Sequence, residues 1–355
     1  MTKVTILGAG IMATALTFPL TDNGHEVALV GTHLDREIID SIQKTGVHTN
    51  LGLKVTDKVT AYQLEDLEKA MEGSDILMSG VNSFGVDWMG EQLRRVLKPG
   101  MTVFNITKGM QTRENGDLVM IPDVLREAVG QELADQVDWA AIVGPSIAGE
   151  LAVRNDTAVI FAGDKQEVVD RLADLWRTDY YHVWTSTDLL GAEIGAATKN
   201  IYAFAVGFAD GLQMRDEAAG KTKKYGRLNY KAAVFAQGAT EMDRFFEFLG
   251  ADRSSVRGLA GVGDMHVTAA GGRNVKAGTM VGQGVPFSDV RDIHMKDITL
   301  EGVAAIRVIG AAIDPLTERG VLTPEDFPLL RHLYEIIEED APLAIPWDKF
   351  FGGKR

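Results

Sequence analysis

The sequence predicts an α/β protein: a doubly wound, mostly parallel sheet followed by an all-helical domain. Three observations predict it. Short apolar runs alternate with helical segments through the first half, a glycine turn joins the first run to the first helix, and strand character stops near Leu189. Alternation of this kind gives parallel sheets, because parallel strands need a crossover long enough to hold a helix.

Taken in order, Val4–Leu7 reads as a buried strand, Ile11–Asn23 as a helix and Glu26–Val30 as the second strand. Further apolar runs follow at Ile76–Val81, Val103–Ile106, Ala140–Val143, Ala158–Phe161 and His182–Thr185, with helical segments such as Leu64–Glu72 and Trp88–Leu97 between them. The last two runs lie close together and read as an antiparallel extension. From Leu189 to about Leu212 the chain is apolar nearly all round, which is the pattern of a buried helix. Tyr230–Leu249, Leu300–Glu318 and Phe327–Glu338 also carry helical periodicity. The boundaries expected are therefore 1–188 for the sheet domain and 189–355 for the helical one. The basic stretch Gly220–Arg227 reads as a solvated loop.

Bulk properties narrow the function. A length of 355 residues exceeds one ordinary core and suits two domains. The net charge of −14 argues against nucleic acid or an anionic membrane as partner, since both need a broad basic surface. Cysteine is absent, so disulfides, thiolate metal sites and cysteine nucleophiles are excluded, and no metal is called for. No apolar run approaches the ~20 residues of a membrane span, and no cationic-apolar leader precedes the first strand, so a cytoplasmic protein is expected.

The first motif is Gly8-Ala9-Gly10-Ile11-Met12-Ala13, directly after a strand and opening a helix. This is the G-x-G-x-x-A form of the dinucleotide fingerprint, and it makes the sheet domain a Rossmann domain. Gly8 permits the tight turn, Gly10 lets the backbone approach a pyrophosphate, and Ala13 allows close helix packing. The second strand should end on the residue that reads the adenosine ribose. Here it runs into Gly31-Thr32-His33, with Asp35 and Arg36 beyond. With no acid at the tip, a 2′-phosphate meets no obligatory repulsion, and Thr32, His33 and Arg36 are available as donors, so the sequence favours NADP over NAD.

Four later segments carry chemistry. Thr107-Lys108-Gly109 follows a strand, at the sheet edge that lines the ligand crevice of a doubly wound fold. Gly144-Pro145-Ser146 follows another strand. Lys199-Asn200 sits inside the apolar helix, where a lysine must snorkel, pair or be used; desolvation lowers its pKa toward that of a proton donor. Glu193, six positions earlier, is not on the face of Lys199. Last comes Gly263-Asp264, then Thr268, then Gly271-Gly272-Arg273-Asn274, a turn able to aim backbone, guanidinium and amide donors at one anion.

In this order the segments resemble NAD(P)-dependent sn-glycerol-3-phosphate dehydrogenase, most closely its archaeal-type members, over residues 1 to about 305. Departures are Ala13 where many members have glycine, Val81-Asn82-Ser83 where the family usually has Val-Pro-Ser, and Ala236-Gln237-Gly238 where it often has Thr-Arg-Gly. The resemblance implies reversible reduction of dihydroxyacetone phosphate by NADP(H) or NAD(H). It assigns Lys199 as general acid and base, Lys108 as a donor to the reacting oxygen, and Asp264 as the group that orients Lys199. Asn200 and Thr268 would line the substrate pocket, and Arg273 and Asn274 would hold the substrate phosphate. Gly8, Gly10, Ile11, Met12, Thr32, His33, Lys108, Ala148, Arg273 and Glu301 would contact the cofactor. A homodimer is implied as well. Two alternatives stay open: a dehydrogenase of another small phosphorylated polyol or ketone, and a non-catalytic NADP-binding sensor.

Overall fold

The computed structural model describes residues 1–221 and 226–353, so half of the basic stretch at 220–227 lies outside the described residues. The chain divides into two compact units. One comprises Met1–Lys108 and Met120–Glu193; the other comprises Gly109–Val119 and the chain from Ile194 onward.

The first unit is built on eight strands: β1 (Lys3–Leu7), β2 (Glu26–Val30), β3 (Val59–Tyr62), β4 (Ser74–Ser79), β5 (Thr102–Asn105), β6 (Asp138–Val143), β7 (Thr157–Gly163) and β8 (Tyr181–Ser186). Their order across the sheet is β8-β7-β6-β5-β4-β1-β2-β3. All neighbours from β3 to β6 pair in parallel. The winding reverses at β1, with β2 on one side and β4 on the other, so the crevice between them is a topological switch point. The register aligns the carboxyl ends there: Leu7 lies opposite Val30 and Ser79, and Ser79 opposite Asn105.

Beyond β6 the expectation needs one correction. β7 does run antiparallel to β6, but β8 is parallel to β7, because the intervening residues form a crossover helix, Gln166–Trp176. The edge strand β3 went unread. It is short and only half-buried, so it lacks the continuous apolar run that marks the central strands.

The core of this unit follows from the strand pattern. Val4, Ile6, Val27, Leu29, Ile76 and Met78 are buried on the central strands. Phe104, Phe161 and Trp176 close it with edge-to-face contacts at ring separations of 4.7, 5.3 and 5.8 Å. The first helix, α1 (Ile11–Ala15), stops at Leu16 and resumes as α2 (Thr17–Asp22), where the sequence reads as one helix.

Among its described residues the second unit has helices and one two-stranded ribbon, Met110–Thr112 with Leu118–Met120, whose last residue belongs to the first unit. Its main helices are α3 (Leu189–Ala218), α4 (Leu228–Leu249), α5 (Asp264–Ala269), α6 (Arg273–Gln283), α7 (Glu301–Glu318) and α8 (Pro328–Glu339). The long helix α3 contributes its first five residues to the first unit and the rest to the second. Thr112 Oγ1 donates to Val308 O at 2.7 Å and Arg319 pairs with Asp117 at 2.7 Å, which fixes the ribbon to α7.

Glycines set the spacing of α3 and α6. A Cβ on Gly207 or Gly211 would run into the backbone of Val275 or Thr279, and one on Gly278 or Gly282 into that of Phe204 or Phe208. The two helices therefore interlock backbone to backbone. A buried carboxylate fastens the end of the chain: Glu241 accepts from Gln237 Nε2 at 2.9 Å and from the amides of Leu329 and Leu330 at 2.7 and 3.0 Å. Those amides lie in the first turn of α8, where backbone N–H groups lack helical partners.

Candidate active site

The fingerprint turn has the shape a dinucleotide requires. Gly8 has φ +114°, and a Cβ there would lie 2.6 Å from Gly80 O, so the position excludes any other residue. Above Gly10 the space is open, the nearest atom to a Cβ being Gly80 O at 3.9 Å. Backbone can therefore reach a pyrophosphate at that point. Ile11 and Met12 form the first turn of α1, and Ala148 opens a short helix, Ala148–Ala152, that packs against it.

The strand tip departs from expectation. Asp35, five residues beyond β2, folds back so that its Oδ2 accepts from Ala9 N at 3.1 Å, Thr32 N at 2.9 Å and Thr32 Oγ1 at 2.8 Å. An acid does stand at the tip, delivered by a loop rather than by the strand. Thr32 is buried, with its hydroxyl donated to Asp35. Arg36 pairs with Glu65, and exposed His33 lies edge-on to Trp88 at 5.7 Å. The argument for NADP from a missing acid is corrected accordingly. The other side of Ala9 is held by His48, whose Nδ1 accepts from Leu51 N at 3.0 Å, leaving Nε2 to donate to Ala9 O at 2.8 Å.

Lys108 follows the end of β5 in the first unit. The segment that presents it is clamped: buried Asn105 donates to Thr107 O at 2.8 Å and accepts from Thr107 N at 3.2 Å, while Thr107 Oγ1 donates to Val81 O at 2.8 Å. Glu193 is buried in the same unit, with the Asn105 side chain and the charge of Lys108 acting on it.

The second unit holds the other proposed residues. Lys199 on α3 is only 7% exposed, and its Nζ is hydrogen-bonded to Asp264, which is fully buried at the start of α5. A π-helical turn, Leu259–Gly263, leads into Asp264. The close approach depends on glycine: a Cβ on Gly195 would meet Ala260 O, and one on Gly261 would meet Val256 O. Lys199 and Asp264 each supply the other's counter-ion, which the burial of two charges requires. Thr268 Oγ1 donates to Asp264 O at 2.7 Å.

The Gly271-Gly272-Arg273-Asn274 turn opens α6. Gly272 has φ +104°, which calls for glycine by conformation, since a Cβ there would meet nothing within 4 Å. Arg273 is half-exposed and donates to Glu301 at 2.6 Å, so these two residues meet each other. Asn274 is turned inward. Its Nδ2 donates to Asn200 Oδ1 at 3.2 Å and its Oδ1 accepts from Gly302 N at 3.0 Å, tying α3, α6 and α7 together. Much of its hydrogen-bonding capacity is thereby used within the protein.

Asp35, His48 and Glu193 were missed as participants. Only Asp35 left a signal, an acid a few residues beyond the strand end.

Two family models match this chain. The N-terminal model of NAD-dependent glycerol-3-phosphate dehydrogenase covers residues 3–169 and the C-terminal model covers 188–346. The NADP(+)-dependent glycerol-3-phosphate dehydrogenase of Archaeoglobus fulgidus is 33% identical, over 85% of this chain and 85% of that protein. The glycerol-3-phosphate dehydrogenase [NAD(P)+] of Geobacillus kaustophilus is 33% identical, over 95% of this chain and 90% of its own. Among solved structures, glycerol-3-phosphate dehydrogenase from Coxiella burnetii superposes with a TM-score of 0.78 at 26% identity, covering 96% of both chains. Among the described residues, no helix is long and apolar enough to cross a membrane.

Proposed function

This chain belongs to the NAD-dependent glycerol-3-phosphate dehydrogenase family and is an NAD(P)-dependent oxidoreductase, and on that premise we propose that it interconverts dihydroxyacetone phosphate and sn-glycerol 3-phosphate. The observation that carries the reading is the buried Lys199–Asp264 pair. A salt bridge sealed from water gains little stability over well-packed apolar residues, so its presence calls for another use.

The bound nicotinamide supplies the hydride. Lys199 gives its proton to the ketone oxygen as the alcohol forms, and takes it back in the reverse direction. Asp264 holds the Lys199 ammonium in place. Lys108 donates a hydrogen bond to the developing alkoxide. Thr268 and Asn200 line the substrate pocket beside Lys199. Arg273 binds the substrate phosphate: a guanidinium has five donors and Glu301 engages one of them. The first amides of α6 add donors at the same place. Asn274 acts mainly by fixing Asn200 and Gly302. Either NADH or NADPH fits the fingerprint turn, with Asp35 opposing a 2′-phosphate. The enzyme is expected to be a cytoplasmic homodimer, which sedimentation of the purified protein tests for its assembly.

The test is a ketone panel: dihydroxyacetone phosphate, unphosphorylated dihydroxyacetone, ketopantoate and other phosphorylated ketones, each with NADH and NADPH. Loss of nicotinamide absorbance reports hydride transfer. Dihydroxyacetone phosphate is expected to give the highest kcat/KM. A higher value with any other ketone would reassign the substrate, and no turnover with any would favour a sensor.

A further inference from the structure

The first unit buries a carboxyl group that this mechanism leaves unused. Glu193 lies near the start of α3, is 2% exposed, and its Oε2 has no hydrogen-bond partner among the described residues. A buried carboxylate left in that state is strongly disfavoured, whereas a carboxylic acid is tolerated. Three polar or charged groups act on it. The Asn105 side chain and the Lys108 ammonium come from the end of β5 and the residues after it, and Asp123 from the helix Ile121–Val129. Burial dominates and pushes its pKa up to about 8; Asn105 and Lys108 pull it down, and Asp123 pushes it up.

Asn105 is also the residue that holds both backbone groups of Thr107. Glu193 therefore stands behind the clamp that presents Lys108. Resting on the role given to Lys108 above, we propose that Glu193 is a positioning residue for it. As an uncharged acid it backs the Asn105–Thr107 clamp without competing for the ammonium. Once ionised, it draws that ammonium away from a bound ketone oxygen. Ketone reduction then weakens as pH rises through the Glu193 transition, independently of the proton held by Lys199.

The experiment compares kcat/KM for ketone reduction against pH in the wild type and in Glu193→Gln, a permanent stand-in for the neutral acid. The wild type is expected to lose activity above a midpoint near 8. Glu193→Gln should keep activity within a few-fold at neutral pH and lack that limb. One pH unit above the midpoint its kcat/KM, relative to its own neutral-pH value, should exceed that of the wild type by up to about tenfold, since only about a tenth of the acid is still protonated there. Difference infrared spectra give a second readout: a protonated-carboxyl band at neutral pH that is absent from Glu193→Gln. Superimposable pH profiles, or no such band, overturn the proposal. Lys108→Ala separates the two layers. If it abolishes turnover while the Glu193→Gln profile matches wild type, only the role of Glu193 fails; if it keeps full activity, the role of Lys108 fails and this proposal with it.

Discussion

Asp264 and Glu241 are both fully buried acids of the helical unit, yet they are satisfied in different ways. Asp264 pairs with the ammonium of Lys199, and the approach needs glycine at 195 and 261. Glu241 takes two backbone amides and a neutral amide side chain, with no cation among those donors. The second arrangement answers the unpaired N–H groups of a helix start and is complete as it stands. The first brings two charges together out of water, which contributes little to stability and so calls for a use beyond the fold. Burial of an acid alone therefore does not mark chemistry; the identity of its partner does.

The largest expected effect breaks the first arrangement. Asp264→Ala removes the carboxylate paired with a buried ammonium and should cost about 3–5 kcal/mol of stability, together with most of kcat. Thermal unfolding and initial rates measure the two losses. A stable, active Asp264→Ala would remove the pair from the mechanism.

Next is Arg273→Ala, which should lower kcat/KM for dihydroxyacetone phosphate on the order of 10²-fold while barely changing that for dihydroxyacetone. Lysine at this position should rescue only part, lacking the planar fork. Equal losses on both ketones would make Arg273 a support for Glu301 or the cofactor.

Glu241→Gln sharpens the contrast. It should lower Tm, at a cost of about 1–3 kcal/mol for impaired amide acceptance, and spare kcat/KM. Burial raises the Glu241 carboxyl from 4.5 to about 7. A raised carboxyl binds its proton more tightly folded than unfolded, so its contribution is full below pH 4.5 and is lost as pH rises to about 7. The Tm advantage of wild type over Glu241→Gln should shrink across that window. An advantage that grows with pH would mean that Glu241 is ionised in the native protein throughout.

The smallest effect concerns Asp35. Removing its charge with Asp35→Asn should favour NADPH over NADH by a few-fold in Kd, read by nicotinamide fluorescence, because repulsion at the 2′-position is relieved. An unchanged ratio would place the ribose away from this loop.

Much of this was legible in the sequence, for physical reasons. The central strands are buried on both faces and so read as continuous apolar runs, and Glu26–Val30 matches residue for residue. The half-buried edge strand Val59–Tyr62 carries no such run, and the ribbon strands at 110–112 and 118–120 are only three residues long. Within the site, Lys199 announced itself as a cation among apolar neighbours. Asp35 shows only as an acid a few residues beyond the strand end, because its reach back to the turn depends on a loop conformation that no periodicity encodes. Helical spacing relates Glu193 only to its own helix, whereas Asn105 and Lys108, which act on it, lie at a strand end some ninety residues earlier. Glu241 sits in a helix where a polar residue normally marks the solvent face.

The central claim is that Lys199 moves the proton in hydride transfer. Its most direct test is a single turnover of Lys199→Ala preloaded with NADPH or NADH and mixed with dihydroxyacetone phosphate, with cofactor affinity measured alongside. The chemical step should slow by ~10²–10⁴-fold while cofactor Kd stays nearly constant. Retention of more than about a tenth of the wild-type rate, well above that range, would contradict the assignment of Lys199 as the proton donor.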